Sequence, residues 1–203
     1  MAAFVTLALG VPGQAGLLAQ TPGQQEQKPE QKAEQKSEKV QAERFRAFVA
    51  NLGTVETSAD RRPVEFQISR WTTDEEEKQL FDVLQQKGPK AMLDTLQRLD
   101  KVGWIRSQGG LSHELRYARQ KPAEGGGRQI TLMTDRIIGF WELAGSARSK
   151  DYPFTVIQLT LDGNGKGEGT MMVATKIEVQ AGVLVFEDLS SAPARLLSVT
   201  KEK

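Results

Sequence analysis

The chain reads as an α+β protein, mainly antiparallel β: a strongly curved sheet or barrel-like meander carrying an inserted two-helix hairpin. Three observations predict it. Short segments rich in Val, Ile, Leu and Phe recur from residue 44 onward, several with alternating polarity. Turn residues separate them about every 8 to 12 positions, a spacing that suits hairpins and leaves no room for parallel crossovers. One stretch, 74–99, changes to helical spacing.

The first segment is a leader. The apolar run from Ala2 to Val11 is shorter than the roughly 20 residues that span a bilayer and fits the roughly 7 to 15 of an export signal. Small residues near Ala15 and Ala19 suit a signal peptidase, so residues 1–19 are expected to direct export, although no Lys or Arg follows Met1. Gln20 stands where a lipidated Cys would complete the lipobox-like Leu17-Leu18-Ala19, so no lipid anchor is expected. Residues 20–43 are mostly Gln, Lys, Glu and Pro, with three copies of Glu-Gln-Lys-x over 26–37. A helix there would stack Glu26, Glu30, Glu34 and Glu38 at i,i+4, and Pro22 and Pro29 oppose it further. A disordered linker follows, leaving residues 44–203 as a single β-rich domain.

Within that domain, Arg44 to Asn51 and Pro63 to Trp71 read as strands, with Phe45, Ala47 and Val49, then Val64, Phe66 and Ile68, at period two. Thr72 with Glu75 and Thr73 with Glu76 are overlapping capping boxes that open the helical stretch. Leu80, Phe81 and Leu84 form its stripe. Gly88 stops that helix and Pro89 begins a second, with Met92, Leu93, Leu96 and Leu99 on one face. Further strands are expected at Val102 to Ser107, His113 to Gln120, Arg128 to Thr134, Ile137 to Glu142, Phe154 to Asp162, Thr170 to Gln180, Val183 to Asp188 and Arg195 to Thr200.

Inventory excludes much chemistry. With no Cys and one His, disulfides, thiol catalysis, Cys-based zinc sites and multi-His metal cages are ruled out. A net charge of +1 lacks the basic footprint of a nucleic-acid binder. No cofactor motif is present either: Asp162 to Gly169 has Lys166 where a calcium loop needs an oxygen, and it lacks the Gly-Lys-Ser/Thr of a phosphate loop. A glycine-rich hairpin turn is the reading there. His113 is the single imidazole, and period two places it with Leu111, Leu115 and Tyr117, as a half-buried strand residue. Ser107, Ser112, Ser146, Ser149, Ser190 and Ser191 are hydroxyls outside any Gly-x-Ser-x-Gly, and Glu142, Asp151, Glu168 and Glu187 are carboxylates of unknown separation, so no catalytic residue is assigned. Trp71, Trp104 and Trp141 read as core pairs or as the lining of a ligand mouth. The candidate ligand-binding set is Trp104, Arg106, His113, Tyr117, Arg119 and Trp141.

The strings Arg70-Trp-Thr-Thr-Asp-Glu-Glu-Glu, Leu115-Arg-Tyr-Ala-Arg, Thr134-Asp-Arg-Ile-Ile-Gly-Phe-Trp-Glu142 and Asp151-Tyr-Pro-Phe-Thr resemble segments of an uncharacterised family of exported bacterial proteins, over essentially residues 44–203. The resemblance implies a signal peptide, a variable polar linker and one β-rich domain. It implies no activity, substrate or site residue, because that family carries none. The functional expectation is an exported, non-enzymatic module in the periplasm or outside the cell. Its partner would be a small apolar or amphipathic molecule or an envelope protein, with no nucleic acid and no transmembrane span. The alternatives are a hydrolase of an envelope substrate working through His113 or a carboxylate pair, and a protein-binding or inhibitor domain.

Overall fold

The computed structural model describes residues 42–50, 62–136, 154–180, 183–188 and 193–202, all within the unit Val40–Lys203. The expected export signal, the linker up to residue 41, the strand Ile137 to Glu142 and Trp141 lie outside the described residues.

Among the described residues ten strands and one α-helix follow in order: β1 (Glu43–Ala50), β2 (Arg62–Ile68), α1 (Asp74–Leu96), β3 (Gly103–Ser107), β4 (Ser112–Leu115), β5 (Tyr117–Pro122), β6 (Arg128–Thr134), β7 (Phe154–Leu161), β8 (Lys166–Gln180), β9 (Val183–Asp188) and β10 (Ala194–Lys201). Every ladder is antiparallel, as the short turns require. The spatial order is β4-β3-β2-β1-β10-β8-β7-β6-β5, with β9 paired to β8 off that path. This order is open. No ladder joins β4 to β5, so the barrel-like expectation is corrected to an open sheet. The reason is local: β4 and β5 are successive pieces of the expected strand His113 to Gln120, separated only by Arg116, and a single residue cannot turn the chain back on itself. Arg116 instead donates its backbone N–H to Met133 O at 3.0 Å.

The break at Arg116 shifts side-chain parity by one residue. Leu115 and Ala118 both enter the main core, whereas Tyr117 packs with a second cluster on the other face. The same division runs through β6, β7 and β8, where Leu132, Ile157 and Met171 face the main core while Met133, Val156 and Met172 face the second cluster. Those strands are covered on both sides, which is why Phe154 to Leu161 reads as a near-continuous apolar run. β1 and β2 keep one face solvated, and their burial alternates cleanly. Each fully buried Phe, Ile or Leu of the main core contributes about 1.5–3 kcal/mol.

Leu80, Leu84, Met92 and Leu96 of α1 lie over the second cluster with Ile177 of β8, so the helix covers one sheet face. The expected two-helix hairpin is corrected to a single 23-residue helix kinked at Gly88, whose φ of 81° and ψ of −177° are non-helical. Glycine tolerates that left-handed φ and Pro89 follows without an N–H to satisfy, so the chain bends where the sequence reading places two ends. Of the two capping boxes the second is used: Thr73 N donates to Glu76 Oε2 at 2.9 Å, and Glu76 N donates to Thr73 Oγ1 at 3.2 Å. Thr72 is buried, and its Oγ1 accepts from Ala118 N of β5 at 2.9 Å. Among the described residues no helix is long and apolar enough to cross a membrane.

Candidate functional site

The expected ligand-binding residues that are described, Trp104, Arg106, His113, Tyr117 and Arg119, separate into three places. On the solvated face of β3, Arg106 sits 4.7 Å above the Trp104 ring and donates through Nε and Nη2 to Glu65 Oε2 at 2.9 and 2.6 Å. That bond, against the opposing effect of burial, holds the Glu65 carboxyl below its usual range. The arrangement is a stacked ion pair across β2 and β3, since Glu65 and Arg106 are register partners.

Tyr117 and Arg119 stand on β5 against the first turn of α1. The Tyr117 hydroxyl donates to Glu77 Oε1 at 2.6 Å. Arg119 reaches Asp74 Oδ1 at 2.7 Å and Glu77 Oε2 at 3.0 Å, and donates to the Thr72 carbonyl at 2.9 Å. Burial first, and then the bond to Glu77, push the Tyr117 phenol far above its ordinary value, so it stays protonated. These groups dock the helix. Arg70 completes the attachment, with a bidentate pair to Glu76 at 2.9 and 3.0 Å and a bond to Asp100 O at 2.8 Å, just past the end of α1.

His113 lies elsewhere, pairing with Ile105 in register and therefore pointing to the face opposite Trp104. It lines a cleft of about 280 Å³ together with Ser112, Glu114, Arg116, Asp135 and Arg136. β4 supplies the first three, the β4–β5 break supplies Arg116, and the bend after β6 supplies Asp135 and Arg136. Burial, and next the charge of Arg136, lower the His113 pKa from its usual range, so the imidazole is neutral at pH 7. Arg116 donates to Glu114 Oε2 at 2.6 Å and to Leu99 O at 2.8 Å, while its buried Nε has no acceptor. The Arg136 carbonyl accepts from the buried Thr155 hydroxyl at 2.8 Å, which ties this bend to β7.

Ser112, His113 and two carboxylates thus share one cleft. Ser112 and His113 are consecutive on a strand, however, and project to opposite faces, an arrangement unsuited to proton transfer from hydroxyl to imidazole. Of the carboxylates singled out from the sequence, Glu168 pairs with Arg195 at 3.2 Å and Glu187 lies 3.9 Å from Lys176; Glu142 and Asp151 are outside the described residues. Asp162 closes the glycine-rich turn by accepting from Asn164 N and Lys166 N at 2.8 and 2.9 Å, so its carboxylate serves the backbone. Among the described residues no group of three His, Asp or Glu could hold a metal ion.

Sequence reasoning missed Asp135 and Arg136, read only as turn residues, and Glu43, counted as linker. Two adjacent opposite charges at a strand end were the signal for the first pair. For Glu43 the signal was its place one residue before an alternating run. Glu43 begins β1 and joins Arg128 at 2.7 Å and Lys201 at 3.0 Å. Comparison with known proteins finds no family model, no curated protein and no solved structure that matches this chain.

Proposed function

We propose that the chain is an exported, non-enzymatic binding module whose ligand enters the cleft between β4 and the end of β6. The observation that carries the proposal is the lining itself: six polar or charged residues from two separate chain segments converge on one concavity. The polar lining favours a small polar or charged molecule over the apolar one expected from sequence. Export rests on the leader at 1–19 and on the family resemblance.

The hydrolase reading draws on the same cleft through Ser112 and His113. Their opposite orientation argues against it, and hydrolysis of chromogenic esters and amides that is no faster with the parent than with Ser112→Ala would close it. The test of the main proposal is a thermal-shift panel of amino acids, dipeptides, dicarboxylates, inorganic phosphate, sugars and a fatty acid, repeated on Arg136→Gln. A polar compound that raises Tm in the parent and leaves the variant unmoved is the expected result. A panel without effect, or a fatty acid as the only stabiliser, overturns it.

A further inference from the structure

The cleft's charges are not equivalent. Arg116 and Glu114 satisfy each other at 2.6 Å, and Arg116 is further occupied by Leu99 O. Asp135 and Arg136, in contrast, form no ion pair among the described residues, with each other or with any neighbour, although both line the same concavity. Among the described residues, a carboxylate and a guanidinium without ion-pair partners therefore follow one another on a bend held by the Thr155 hydroxyl.

We infer that the cleft takes a small zwitterion, its carboxylate on the Arg136 guanidinium and its ammonium group on the Asp135 carboxylate. The inference rests on the binding-module reading and adds the ligand class. A simple anion would meet Arg136 but also Asp135 and Glu114; a simple cation would meet Asp135 but also Arg136 and Arg116. Each is met by a like charge, and such juxtaposition is what selects against a wrong ligand. A molecule with both charges satisfies both free groups by charge-assisted hydrogen bonds. The volume of about 280 Å³ equals about nine waters at roughly 30 Å³ each, room for an amino acid or a dipeptide.

His113 makes this testable, because the chain has one imidazole and it lies in the cleft. The charged groups around it are Glu114 and Arg116 on its own run, Asp135 and Arg136 after β6, and Lys101 beside Glu114. Burial first and then the Arg136 charge depress His113, and a carboxylate docked on Arg136 offsets the second of these, so the pKa rises on binding. The experiment follows the His113 imidazole resonance by NMR on the full chain during titration with glycylglycine, N-acetylglycine or glycinamide.

The expected result is a saturable shift with glycylglycine, and binding at least about tenfold weaker for the two probes that lack one charge. Arg136→Gln abolishes the shift, and Asp135→Asn makes glycylglycine and N-acetylglycine equivalent, with Tm unchanged in both variants. Equal affinity of the parent for glycylglycine and N-acetylglycine overturns the zwitterion assignment and leaves the binding module standing. A His113 signal that no probe moves, together with no stabilising compound in the thermal panel, overturns both.

Discussion

The Tyr117 hydroxyl and the Glu77 carboxylate meet at 2.6 Å across the seam between β5 and α1, and this bond joins the helix to the strand that ends the sheet. The phenol is more than a packing group, because the parity shift at Arg116 turns it out of the main core and toward the helix. Tyr117→Phe is expected to lower stability by about 1–2 kcal/mol, the range for losing a hydrogen bond to a charged group that keeps another partner, here Arg119. Denaturant unfolding checks this. A variant as stable as the parent would show that the seam is held by apolar contacts alone.

Two glycines should respond very differently to alanine. Gly88 has φ +81° and ψ −177°, a conformation essentially reserved for glycine, and open space around a would-be Cβ, so Gly88→Ala carries only the backbone penalty, about 1–3 kcal/mol. At Gly167 a Cβ would overlap the Thr160 carbonyl of β7, and the ladder itself would have to separate. Gly167→Ala is expected to cost at least twice as much, measured as the difference in unfolding free energy between the two variants.

Glu43 ties three strands together. Burial works to raise its pKa, but the bonds to Arg128 and Lys201 outweigh it and hold the carboxyl below the usual value of 4.5. A depressed folded-state pKa means that the unfolded chain binds the proton more readily. This contribution is therefore complete above the ordinary carboxylate range and is lost as pH falls through the folded value. Glu43→Gln should lower stability at pH 7 by about 1–3 kcal/mol and flatten the acid limb of a stability-versus-pH curve. An acid limb identical to the parent's would refute the assignment.

His113 acts in a higher window with the same sign. Its folded pKa lies below 6.5, so as pH falls through about 6.5 the unfolded state gains protons first and the fold weakens until the imidazole itself titrates. His113→Gln should remove the slope just below pH 6.5 while leaving the carboxylate limb in place. Thermal melts across that range decide it. A slope that survives the substitution would place its origin elsewhere.

Much of the fold was legible because period two survives wherever one sheet face meets water. Phe45, Ala47 and Val49, then Val64, Phe66 and Ile68, alternate as read, and β6 and β9 begin and end where their turn residues indicate. The failures have physical causes. Gly167 and Gly169 resemble an extension of the turn, yet they lie within β8 because the Thr160 and Gln158 carbonyls occupy the space a side chain would need. The strand break at Arg116 has no local signal, since it answers to Met133, seventeen residues away. Gly88-Pro89 serves equally as a stop and start or as a bend, and long-range packing decides between them. The site was the least readable. His113 was identified, but Asp135 and Arg136 gain meaning only from the fold that brings the end of β6 to β4.

The place of β10 carries a consequence for how this chain is made. It lies between β1 and β8, joining the half-sheet β4-β3-β2-β1 to the half-sheet β8-β7-β6-β5, yet it emerges from the ribosome after the other nine strands. Until those last residues appear, each half keeps a raw hydrogen-bonding edge and an uncovered apolar side. The nascent polypeptide thus stays incompletely folded until β10 has been made.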